Sequence, residues 1–105
     1  MNVLLIANDQ VIDVIGLQDA VTGQYLNEKT VVVTITDKNG NQVAGQSWPT
    51  TLEYVPASNG DYRGNLSNDM VLVRTRQYFV TIDADAGGGL VANWRWPVDA
   101  QYRKP

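Results

Sequence analysis

The sequence predicts an all-β fold, an antiparallel β-sandwich of seven to eight strands. Three observations carry that expectation. Short runs rich in Val, Ile, Thr and Tyr recur between turn signals about every ten residues, which is the rhythm of a sandwich or small barrel. No segment sustains a helical period, and the nearest, residues 16–20, is too short and too close to Gly23 to propagate one. Residues 72–98 read as a corner, a strand, a glycine-rich turn and a returning strand, a long hairpin on which the rest can be built.

Taken in order, Val3, Leu4, Leu5 and Ile6 form an apolar run closed by Asn8 and Asp9, and are expected to be a first strand. Residues 11–17 follow, apolar on both phases apart from Asp13. Residues 19–23 form a loop ending in a turn glycine, and Tyr25 with Leu26 adds a short extended piece. Residues 30–36 are the strongest central strand, with Val31, Val33 and Ile35 on one face and Val32, Thr34 and Thr36 on the other. Asn39-Gly40 signals a hairpin, with a return strand over residues 42–48 that stops at Pro49.

Residues 50–55 alternate and stop at Pro56, and proline at both borders predicts an edge strand. After a turn at residues 57–61, Tyr62, Gly64 and Leu66 share a strand face. Residues 67–69 turn again, and residues 70–73 lead to the corner. The hairpin strands run through Phe79, Val80 and Ile82 and back through Trp94 and Trp96, around a turn at residues 85–89. Residues 1–100 are therefore taken as one sandwich domain and residues 101–105 as a polar tail, frayed unless it docks. The expected core is Leu4, Ile6, Val14, Val31, Val33, Ile35, Tyr62, Leu66, Leu72, Tyr78, Val80, Ile82, Trp94 and Trp96.

Composition narrows the function. A chain of 105 residues with 44% hydrophobic and 18% charged residues is globular, and it is long enough for one real core. There is no cysteine, so neither a disulfide framework nor a thiolate metal site is available, which fits a reducing compartment. There is no histidine, which removes the side chain most used for acid–base work near neutral pH. With a net charge of −3 and basic residues clustered only at Arg74/Arg76 and Arg103/Lys104, nucleic acid is not an expected partner. The apolar run at the N-terminus has no basic flank and is shorter than a secretory signal, and no stretch is long enough to span a membrane. The chain is expected to be made in the cytoplasm, with no signal peptide and no membrane partner.

Leu72 lies six residues before Tyr78, which begins a strand. This spacing is similar to that in immunoglobulin-like and fibronectin type III domains, where the tyrosine hydroxyl returns to nearby backbone and its ring fills the core. Here the turn is Val73-Arg74-Thr75, without the proline-glycine common in fibronectin type III domains, and no Cys–Trp–Cys pattern exists. The resemblance implies an Ig-like sandwich. A second one covers more of the chain: Tyr25-Leu26 before the valine strand, residues 39–43 from Asn39 to Val43, and residues 59–64 from Asn59 to Gly64. The pattern resembles small Ig-like proteins encoded by bacteriophages and prophages. Such proteins serve as head, tail or baseplate components, so the resemblance implies a virion subunit with protein partners, self-association included.

Each candidate site has a plainer structural role beside it. Trp94 and Trp96 alternate with Asn93 and Arg95, and an exposed pair could stack on sugar rings, with Tyr62, Trp48 or Tyr54 widening the platform. Leu90, Ala92, Trp94, Trp96 and Val98 share one phase, however, which is the pattern of a core-facing strand. Asp83, Asp85 and Gly87 to Gly89, with Asp61 or Asp69 nearby, offer oxygens for calcium, but turn chemistry explains the same residues and the spacing matches no EF-hand. The three glycines lack the Lys-Ser/Thr and the helix of a phosphate loop. Lys29, Lys38 and Lys104 sit beside no serine in a strand interior, and the carboxylates fall mainly in turns, so no enzyme and no cofactor are expected.

The sequence thus points to a non-catalytic assembly module. Its expected contacts are the hairpin tip at Asp85, Gly87, Gly88 and Gly89, and the run-out at Trp96, Tyr102 and Arg103. The alternative is a carbohydrate-binding module using surface aromatics.

Overall fold

The structure is a computed structural model that describes residues 2–19, 21–87 and 90–103. It contains seven strands: β1 (Val3–Ile6), β2 (Gln10–Val14), β3 (Thr30–Asp37), β4 (Thr50–Tyr54), β5 (Tyr62–Leu66), β6 (Gln77–Gly87) and β7 (Leu90–Tyr102). They form one sheet in the order β1-β7-β6-β3-β4-β5-β2. The all-β expectation holds. The wholly antiparallel expectation does not: β1 pairs with β7 in parallel, Val3 opposite Asp99 and Ile6 opposite Tyr102, so the sheet is mixed. A short first strand that joins the last one after the whole chain has passed between them has no hairpin to make it antiparallel.

β3 and β6 pair over their length, from Thr30 opposite Asp85 to Asp37 opposite Tyr78, which makes the valine strand central as its alternation requires. β4 switches partners halfway. Its first half pairs with β3 through Thr50, Thr51 and Leu52, and its second half with β5 through Glu53 and Tyr54. β4 is thus interior in the strand order, yet each half has a strand on one side only, so the edge character expected from its bordering prolines holds locally. Pro49 and Pro56 lie outside it, so neither removes a ladder donor.

One apolar cluster takes Leu4 and Ile6 from β1 together with Ile12 from β2, so the two ends of the strand order meet around a common core. Gln10 joins them directly. Its carboxamide accepts from the Leu5 N–H at 3.2 Å and donates to the Leu5 carbonyl at 3.3 Å, standing in for a backbone partner. Of the expected core, Leu4, Ile6, Val31, Val33, Ile35, Tyr62, Leu66, Tyr78, Val80 and Ile82 are buried, while Val14, Leu72 and Trp96 pack against the core half-buried.

The corner forms as anticipated. Tyr78 is buried, and its hydroxyl accepts the Val73 N–H at 2.8 Å. Thr75 takes φ 67°, where a glycine would sit without strain, and its N–H reaches the Ala100 carbonyl at 2.8 Å.

Three local expectations need correction. The Asn39-Gly40 turn forms, but the return strand over residues 42–48 does not. Only a Thr36–Gln42 bridge follows, because Gly45 bends the chain at φ 97° against the Asp69 carbonyl. Residues 85–87, expected in the turn, belong to β6, which continues to Gly87 with a bulge between Asp85 and Gly87, and β7 starts at Leu90. β7 also extends through Gln101 and Tyr102, which a strand partner in β1 makes possible.

Candidate interaction site

The surface feature with most chemical content lies along the first half of β7, where no strand runs on its outer side. Ile82 and Trp94 face each other across that hairpin, as do Ala84 and Ala92. Directly opposite residues share a face, so all four point toward the core side. Ile82 is 1% exposed, yet Trp94 is 42% exposed. This overturns the placing of Trp94 in the core. Ile82 has Val33 of β3 on its other flank, whereas β1 covers β7 only from Asp99 to Tyr102. Trp94 thus has the parity of a core residue but no strand outside it. Trp96, one pair nearer the centre, is half-buried against the core.

Residues 16–19 and 21–29 supply the facing wall. They are held by Gly60, Asp61 and Tyr62, the same residues whose pattern stood out in the sequence. Leu17 N–H donates to the Gly60 carbonyl at 2.8 Å, and Gly60 N–H donates to Asn27 Oδ1 at 2.8 Å. Gly16 N–H donates to Asp61 Oδ1 at 2.9 Å. The Tyr62 hydroxyl donates to the Leu26 carbonyl at 2.6 Å and accepts from Lys29 N–H at 3.0 Å. Gly60 takes φ 73°, and a Cβ there would stand 2.5 Å from the Leu17 carbonyl oxygen. Sequence reading placed Tyr62 in the core but missed this role. The signal was the adjacent glycine, a position where another backbone passes closely.

Between wall and hairpin lies a groove of about 250 Å³, lined by Leu17, Val21, Leu26, Ala84, Val91, Ala92 and Trp94, with Asp19 and Lys29 at its rim. Val21 is 93% exposed and Val91 67%, so the apolar lining continues onto open surface. The Asp19 carboxylate is held below its usual range by the Thr22 and Val21 N–H groups, and so is already engaged in its own turn.

The other sequence candidates are dispersed. Asp85 accepts the Gly87 N–H at 2.8 Å, the expected turn chemistry, while Gly88 and Gly89 lie outside the described residues. Tyr102 and Arg103 are exposed at the far end of β7. Asp83 accepts from the Asn93 side chain at 2.5 Å, and Asp61 is committed to Gly16. Among the described residues no three acidic side chains come together as a metal site, no charged side chain is buried, and no helix is long and apolar enough to cross a membrane. The aromatics of a sugar platform are also separated. Tyr62 is wholly buried against Tyr54 at 5.6 Å between ring centres, and the Trp48 indole donates to the Val43 carbonyl at 2.6 Å.

In comparisons with protein-family models, with curated proteins and with solved structures, this chain has no match.

Proposed function

We propose that this chain is a non-catalytic, Ig-like module that acts by protein–protein contact, as a component of a phage or prophage virion. The observation that carries the contact is the apolar groove with its exposed rim of Val21, Val91 and Trp94. Contiguous apolar surface of this kind is where soluble domains meet partners. The Ig-like reading is supported by the strand order. β1, β7, β6 and β3 lie together, β5 and β2 lie together, and β4 passes from one group to the other. The Tyr78–Val73 corner bond supports it further. The virion role draws on the resemblance described for residues 25–26, 39–43 and 59–64.

Mass spectrometry of particles purified from the host that encodes the chain tests the role. The chain is expected among the particle proteins at a defined copy number. Its absence from intact particles, while it is present in the same cells, overturns the virion reading. The carbohydrate alternative draws on Trp94 alone among the tryptophans, since Trp48 and Trp96 are half-buried. A glycan panel that shifts Trp94 fluorescence would favour it over protein contact.

A further inference from the structure

We infer that two copies of this chain join edge to edge through β7, as an antiparallel, two-fold strand pair centred on Asn93. The inference rests on the protein-contact reading above and names the partner. β7 is bonded to β6 along its length, but on its outer side β1 accompanies only Asp99 to Tyr102. The direction of the backbone groups follows from two bonds. Asp99 N–H donates outward to the Asn2 carbonyl, and Ala100 N–H donates inward to the Arg76 carbonyl. Alternation along a strand then turns the N–H and C=O groups of Val91, Asn93 and Arg95 outward, and among the described residues none of them has a backbone partner. Such an open edge is a template for another strand.

Side chains that often guard an edge are withdrawn here. The Arg95 guanidinium lies over the Phe79 ring, 4.1 Å from its centre, and the Asn93 amide is bonded to Asp83. Both are tied back onto their own sheet.

Three features select a second copy and fix its register. Pairing about Asn93 sets Val91 against the other copy's Arg95 and Asn93 against its own image, so the open groups are matched and no like charges meet. It leaves Pro97, which has no N–H, beyond the pairs; a shift by one step toward Pro97 would bring it into the ladder. It also sets Ala92 opposite the other copy's Trp94 on the core-side face. Each indole then comes down on a small residue at the mouth of the groove. A foreign strand would need to bring its own aromatic at that point, whereas a second copy carries one.

Sedimentation velocity over a concentration series, paired with amide hydrogen exchange, tests the inference. A dimer is expected at high concentration, with Val91, Asn93 and Arg95 amides becoming protected as it forms. The amides of Ala92 and Trp94, bonded within the hairpin, should be protected throughout. Trp94→Ala should weaken dimerisation about tenfold or more while keeping the wild-type circular dichroism. Val91→Pro, which removes an outward donor at an exposed position, should weaken it too. A chain that stays monomeric into the millimolar range overturns the inference, as does a dimer in which those three amides exchange freely. Either result leaves the virion reading to be decided by particle composition alone.

Discussion

Tyr62 and Leu26, thirty-six residues apart, are joined by a 2.6 Å hydrogen bond from the buried phenol to the backbone carbonyl. The same hydroxyl accepts the Lys29 N–H, so one side chain fixes the segment that forms the groove wall. Tyr62→Phe keeps the ring and strands both backbone groups. It is expected to cost about 1–3 kcal/mol by urea denaturation, with faster exchange of the Lys29 amide.

Gly60 carries a stronger demand. Alanine there meets the Leu17 backbone at 2.5 Å in addition to its positive φ, so Gly60→Ala should cost more than about 2 kcal/mol. Gly40, at φ 85° but in open space, isolates the conformational part, and Gly40→Ala should cost about 1–2 kcal/mol. Equal costs in thermal or urea unfolding would mean that the close approach of Gly60 to Leu17 contributes nothing.

The two neighbouring tryptophans should separate cleanly. Trp96 packs on the core, and Trp96→Ala is expected to cost about 3 kcal/mol. Trp94 in the lone chain is partly exposed, and Trp94→Ala should cost about 1 kcal/mol or less when measured on dilute protein. Acrylamide should quench Trp94 most strongly, so its removal should shift the remaining emission to the blue.

Titration should weaken the fold from both sides. The Asp37 carboxyl is held below its usual range, chiefly by the Asn41 N–H and also by the Asn39 N–H, and Asp19 likewise by Thr22 and Val21. A depressed folded pKa means stability present above the unfolded value and lost as pH falls through the folded one, so acid should loosen these turns. Burial pushes the Tyr62 phenol above its ordinary value near 10. A raised pKa means stability present below the unfolded value and lost as pH rises through the folded one. Melting temperature should therefore fall below about pH 4 and again above about pH 10. Tyr62→Phe should blunt the alkaline fall, and Asp37→Asn the acid one.

The central strands were legible because their alternation is strict. Val31 and Val33 have strand neighbours on both sides, Ile35 has Val80 on one side and Val43 on the other, and every second residue must be apolar. The Tyr78 corner was legible because a phenol at that spacing has one nearby backbone group to satisfy. Trp94 was misplaced because parity gives the face of a strand but not whether another strand lies beside it. That depends on β1 ending its cover at Asp99, a long-range fact. The fate of residues 42–48 turned on Gly45 meeting Asp69, twenty-four residues away, which no local turn signal encodes. The groove went unread for the same reason: its walls, Leu17 and Ala92, come from distant parts of the chain.

The parallel pairing of β1 with β7 has a mechanical consequence. Val3 lies level with Asp99 and Ile6 with Tyr102, so chain entering at Val3 and chain leaving at Tyr102 depart from opposite ends of that pair. A force drawing the two apart runs along the strands and loads the backbone bonds between them in shear, all together. A hairpin pulled from its open end would yield one bond at a time. The pair is built to carry tension along its length.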